Sequence, residues 1–239
     1  MKISINKELK EKLPNFSVIA YTMDVDNLKT DIVENMLTSL KVDFSIDDVT
    51  TNYFIKQTRD AYKILKKDPS HTRCATEALV RRVIKHNNNE SGPIYSLGDI
   101  IDLGNILSVK TLRSVCVVDL EKIVKDIEIR VGRENEVVNA INRSAINACN
   151  LIVYCDDLGI FGSPTSDTLR TSVTNNTKSI LVMIMCFGVE NIKENEELLK
   201  ELYINYANAK NLNKILVEWG NLSWLMKHQT LLKLLWKMN

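Results

Sequence analysis

Arg73, Glu77 and Arg81 recur at i, i+4 and i+8 within RCATEALVRR (73–82), so on a helix they stack along one face. About twenty residues later DLGNILS (102–108) offers Asp102 and Asn105 on a common face, with Ser108 roughly a turn further along. These groups carry charge and hydrogen-bonding capacity without a nucleophile–base pair, a metal-ligand set or a glycine cradle. Such a set suits recognition of a small polar molecule better than bond-making. Each half has two readings. The 73–81 series is either a solvated ladder, contributing about 0.3–0.5 kcal/mol per pair, or a pair, Arg73 and Glu77, turned into a pocket to meet the charged ends of a ligand. Asp102, Asn105 and Ser108 lie beside Leu97, Ile101 and Leu107, and Asp and Asn are poor residues for a helix interior. They are either placed there for a ligand or, for Ser108, part of a helix end.

Other chemistry-bearing residues are fewer. The polar segment FGSPTSDTLRTSVTNNT (161–177) holds Asp167, Arg170, Thr171 and Thr174 and is long for a connection, which marks it either as functional or as a turn whose Asp and Thr satisfy local backbone. Asp156 and Asp157 are adjacent, so on a strand they face opposite ways; they suit a turn before Gly159 and not a shared metal. His71, His86 and His228 are dispersed with no ligand spacing, so neither a metal nor a cofactor is expected. No GxSxG elbow, phosphate-binding loop or dinucleotide fingerprint is present. Cys74 lies inside the first motif, and a buried thiol is the simpler account of it.

The elements that must position these residues follow from periodicity. FSVIAY (16–21) reads as a strand, and residues 31–67 have helical spacing up to the stop at Asp68-Pro69. Ala75, Ala78, Leu79 and Val83 share one face, predicting an amphipathic helix over 75–86. A loop over 87–93 and a second helix over 97–109 come next. The period then shortens. Residues 114–119, 126–131, 151–155 and 179–187 read as strands, the first and last of them central because they are apolar throughout. From Val189 onward the pattern is wholly helical. This order indicates an α/β or α+β domain over 1–188 and a C-terminal helical extension over 189–239. The apolar end of that extension, LSWLMKHQTLLKLLWKM (222–238), is expected to fold back on the domain, with a membrane surface or a partner helix as the other uses of such a segment.

Composition narrows the partners. The 239 residues carry a net charge of +1, so the molecule as a whole offers no strong field to a polyanion and nucleic-acid contact needs a local basic patch. Five scattered cysteines without a CxxC pair suggest free thiols in a reducing compartment. The N-terminus has no apolar run of the kind a signal peptide needs. The most apolar stretch ends at Phe187, far short of the roughly 20 residues of a membrane span. A cytoplasmic protein is expected; its oligomeric state is not legible.

Taken in order, RxxTEALVRR, DLxNxLS, VVDLEKI (117–123), LIVYCDDLGI (151–160) and SDTLRTSVT (166–174) resemble the B3/B4 domain, the tRNA-binding and editing domain of the phenylalanyl-tRNA synthetase β subunit, and more closely the stand-alone proteins built on it. The match covers about residues 70–188. The resemblance implies a three-layer α/β fold with a mixed sheet flanked by helices. It also implies a trans-acting editing hydrolase that clears mischarged tRNA with a positioned water, and no aminoacylation. Carried across by motif, Arg73, Thr76, Glu77, Asp102, Asn105, Ser108, Asp167 and Arg170 become the amino-acid pocket. Arg81, Arg82 and Lys85 become the patch for the tRNA 3′ end. Arg73 is assigned to the carboxyl-derived end or the terminal ribose, Glu77 and Asp102 to the amino group, and Asn105 and Ser108 to a water or side chain. A non-catalytic module binding tRNA or an amino acid is the alternative, and an interaction protein acting through the C-terminal helix is a further one.

Overall fold

The computed structural model describes residues 1–26, 28–141 and 144–219. In chain order the elements are β1 (Ile3–Ile5), α1 (Lys7–Lys12), β2 (Ser17–Asp24), α2 (Asp31–Thr38), α3 (Tyr53–Ile64), α4 (Ala75–Asn87), α5 (Asp99–Thr111), β3 (Val115–Asp119), β4 (Ile127–Val131), β5 (Val137–Val138), β6 (Ile146–Asn147), β7 (Ile152–Asp156), β8 (Gly159–Gly162), β9 (Ser179–Cys186), α6 (Ile192–Tyr206), β10 (Lys210–Lys214) and β11 (Val217–Trp219).

The strands form two main sheets. An antiparallel sheet has the order β10-β2-β9-β3, and a mixed sheet has the order β11-β1-β4-β7-β8, with β1 parallel to both its neighbours. Side chains alternate faces along β9. Ile180, Val182, Ile184 and Cys186 meet Leu79, Val80 and Val83 of α4, Ile100, Leu103 and Leu107 of α5, and Leu199 and Leu202 of α6. Leu181, Met183 and Met185 face the other way, onto Ile3, Ile5, Ile127, Ile129, Ile152 and Tyr154 of the mixed sheet. The result is helices, antiparallel sheet and mixed sheet in three layers, with the apolar runs of the central strand explained by two dry interfaces.

Three expectations need correction. The 114–119 stretch is an edge strand, because β3 pairs only with β9. Its apolar run reports cover on both faces, while its free edge is closed by the 163–177 segment. There Ser114 Oγ donates to Pro164 O at 3.2 Å, and Thr177 Oγ1 donates to Asp119 Oδ2 at 2.7 Å. Helical spacing over 31–67 resolves into two helices with a loop and a short 3-10 turn (Asp48–Thr50) between them. The chain beyond Val189 is not wholly helical. After α6, β10 pairs with β2 and β11 with β1, so this segment contributes an edge to each sheet. Exposed edge strands such as KNLNK bury almost nothing, so no hydrophobic period announces them. The segment 222–238 lies outside the described residues.

Two glycines set α5, one of the two helices carrying the candidate residues. Gly98 begins it with φ of 105°, a conformation costly to any residue with a Cβ. Gly104 lets the helix settle on β3, since a Cβ there would lie 2.6 Å from Val117 Cγ2. The far end turns at Leu112 in the left-handed region, and Tyr203 Oη of α6 donates to Ile100 O at 3.0 Å, fixing the start.

Candidate functional site

The helix predicted over 75–86 is α4, which carries Glu77 and Arg81; Arg73 lies just before it, ahead of the cap residue Cys74, and still reaches Glu77. Depth is what the ladder did not reveal. Glu77 is 1% exposed and lies among three guanidinium groups: Arg59 Nη1 at 2.8 Å, Arg81 Nε at 3.1 Å and Arg73 Nε at 3.3 Å. Arg59 comes from α3 and also donates to Ser70 Oγ at 3.2 Å. One buried carboxylate thus anchors three cations, of which Arg73 keeps 45% of its side chain in solvent. No other Asp or Glu occurs on α4, whose outer surface also bears Arg82 and Lys85.

Thr76 faces inward instead. Its hydroxyl lies 3.0 Å from Ser108 Oγ and donates to Ser114 Oγ at 3.2 Å, and Ser108 Oγ donates to Arg113 O at 2.8 Å. This hydroxyl cluster joins α4, α5 and the start of β3. Asp102 is fully buried and accepts from Ser96 Oγ (2.6 Å) and Leu97 N (3.0 Å), clasping the loop that precedes α5. Asp102→Ala should lower stability by about 1–2 kcal/mol, as the loss of a cap does, read as a shift of the urea midpoint.

Asp167 and Arg170 lie apart from each other. The Asp167 carboxyl sits against Gly162 and takes a hydrogen bond from the Cys116 thiol; burial raises it to about 7, and the thiol bond only partly offsets this. Arg170 is bidentate to Asp156, with Nη1–Oδ2 at 3.0 Å and Nη2–Oδ1 at 2.8 Å. Burial pushes the Asp156 carboxyl up, but Arg170 and the amides of Val124 and Leu158 outweigh it and hold it below the usual range. Asp157 instead pairs with Lys125, so the two aspartates diverge at the turn as their alternation requires. Cys74 is buried, and desolvation pushes its thiol up to about 11, away from nucleophile chemistry. Among the described residues no His, Cys, Asp and Glu side chains gather in a group able to hold a metal.

The eight expected pocket residues therefore fall into several places rather than around one cavity. Glu77 and Arg73 belong to the arginine cluster, Thr76 and Ser108 to the hydroxyl cluster, and Asp102 to the loop clasp. Asp167 is half-buried against Gly162, and Arg170 is at the β7–β8 turn. Asn105 lines a cleft of about 490 Å³ between α4 and α5, together with Leu79, Arg82, Ile94, Tyr95 and Leu97. Arg82 came from the expected tRNA patch and Asn105 from the expected pocket, and the cleft brings these two together. Sequence reasoning missed Arg59, Ser114, Tyr95 and Leu97. Tyr95 and Leu97 did carry a signal: large apolar side chains between Pro93 and Gly98, in a segment with every mark of a loop.

The helix layer of the three-layer body thus carries a basic helix, a buried hydroxyl cluster and a cleft. The family model of the B3/4 domain matches residues 57–208, well over half of the chain, and the chain belongs to that family. No curated protein matches it. Among solved structures it is similar to an N-terminal fragment of the phenylalanyl-tRNA synthetase β-subunit from Pyrococcus horikoshii. That similarity has a TM-score of 0.50 and 10% identity, over 92% of this chain and 52% of that one. At this identity the likeness is one of fold, and the chain spans about half of the fragment's length. The resemblance drawn from the ordered motifs is borne out at the level of the family. No helix among the described residues is long and apolar enough to cross a membrane.

Proposed function

We propose that the chain binds the aminoacyl end of a tRNA and hydrolyses the ester of a wrongly attached amino acid, acting on tRNA charged elsewhere. Membership of the B3/4 family supports tRNA as the partner, in keeping with the synthetase that shares the fold. The observation that carries the reading is the surface of α4. Its one carboxylate is buried beneath arginines, so Arg73, Arg81, Arg82 and Lys85 present a local positive patch on a molecule of net charge +1. Phosphate neutralisation needs such a patch and not a high overall charge.

Hydrolysis adds water to the ester carbonyl and releases the amino acid and a ribose hydroxyl. An activated ester asks mainly for positioning and for donors aimed at the developing oxyanion. In this reading Arg73, whose guanidinium stays 45% exposed beside Glu77, supplies such a donor. Glu77 and Asp102 have their oxygens engaged, so they serve by holding the arginines and the 96–97 loop rather than by touching the amino group. Thr76, Ser108, Asp167 and Arg170 are engaged in contacts elsewhere in the fold and serve it structurally.

Binding without hydrolysis is the second reading. It is favoured by one observation: the cleft's ionisable side chains are Arg82 and Tyr95, with no carboxylate or histidine to move a proton. A panel of mischarged tRNAs separates the two. Deacylation above the buffer rate for at least one tRNA–amino acid pair is expected, and none for any pair would leave only binding. Binding itself is expected to weaken steeply with salt, and a flat salt dependence would remove tRNA as the partner.

A further inference from the structure

We propose that the cleft between α4 and α5 seats one unpaired nucleotide of the bound RNA, its base laid against Tyr95 and its phosphate held by Arg82. The inference deepens the tRNA reading and rests on it for the source of the strand. Tyr95 is 76% exposed and Leu97 72% exposed, on neighbouring outward positions of one loop. They are presented by construction. Ile94 is buried in the helix-side core, while Ser96 Oγ and Leu97 N are clasped by Asp102. The loop is therefore anchored on both sides of Tyr95, which holds an aromatic ring in water, a surface on which a base can stack.

The remaining groups fit the same ligand. Leu79 gives the cleft an apolar wall. The half-buried Asn105 amide makes no side-chain hydrogen bond among the described residues and offers a donor and an acceptor side by side, the pair that reads the edge of a base. Arg82 has neither an ion pair nor a hydrogen bond among the described residues, which leaves its guanidinium for a phosphate. The buried carboxylates of α5 are engaged elsewhere: Asp99 accepts from Thr30 N at 2.9 Å and Asp102 from Ser96 Oγ. A cleft of about 490 Å³ is of the size that small ligands occupy. Lys85, one turn along α4 from Arg82, is placed to meet the next phosphate.

The test uses the full chain with two probes, an unstructured RNA oligonucleotide carrying one 2-aminopurine and a tRNA transcript. Base stacking should quench the 2-aminopurine on binding. Tyr95→Ala should weaken binding of both probes by about 5- to 150-fold and abolish the quench, while Tyr95→Phe keeps both. Arg82→Gln should lower the salt slope by about one. If tRNA binds and Tyr95→Ala leaves affinity and quench unchanged, the nucleotide seat is overturned and the tRNA reading stands. If the oligonucleotide binds in a Tyr95-dependent way and tRNA does not, the seat stands and the tRNA reading falls. Failure of both probes to bind overturns both.

Discussion

Replacing Glu77 with alanine is expected to lower folding stability by about 3–5 kcal/mol, the cost of removing one partner from a buried ion pair. Here the effect is compounded, because the carboxylate has three guanidinium partners at 2.8–3.3 Å and is itself 1% exposed. Without it Arg59, Arg73 and Arg81 converge with nothing between them. Arg59, only 14% exposed, is the one least able to escape into water. Glu77→Gln keeps the shape and loses the charge, so it should fall between the wild type and Glu77→Ala. High salt should narrow the differences by screening the arginines. Urea unfolding of the three proteins at low and high salt measures this. A Glu77→Ala protein as stable as wild type would mean that the arginines are solvated independently and that the cluster is an ordinary surface ladder.

The pH profile should carry the mark of Asp167. Its carboxyl moves from 3.8 in an unstructured chain to about 7 in the fold, because burial disfavours the ionised form. Since the folded value is the higher one, the contribution is fully present below about pH 4. It is lost as pH rises through 7, by up to about 4 kcal/mol. Asp167→Asn removes the titration while keeping much of the shape, so the variant should gain on the wild type steadily between about pH 4 and 7 and no further above that. Glu136, held down to about 2 by Arg130, acts in the opposite sense and only in strong acid. The difference between wild type and variant therefore isolates Asp167. Parallel profiles for the two proteins would show that the carboxyl is solvated.

Much of the layer order was legible because burial imposes a period. The runs that became β2, β4, β7 and β9, and the helical faces of α4 and α5, are all deep elements with a dry side. What stayed hidden has no such side or is set by distant partners. β1 has three residues, and β10 is held by backbone pairing with few buried side chains. For the candidate site, Arg73 and Arg81 do both meet Glu77, although Arg73 lies ahead of the helix and not on its face. The burial of Glu77 depends on Arg59, which spacing within 73–82 could not supply. Arg170 was read as a ligand contact, and its bidentate bond to Asp156 depends on a turn that only the folded chain defines. Asn105 and Arg82 belonged to separate expected groups and became neighbours through the approach of α5 to α4.

The placement of β10 and β11 has a consequence for how the molecule comes into being. Residues 3–5 lie between 127–129 and 217–219, and β2 has its own outer neighbour at 210–214. Neither sheet is complete until the chain has been extended past residue 219, and β1 waits for β11. Loop closure over such separations is paid before any contact is gained, so folding should be slow and largely postponed until synthesis has passed that point. During the wait the edges of β1 and β2 are open templates for another chain.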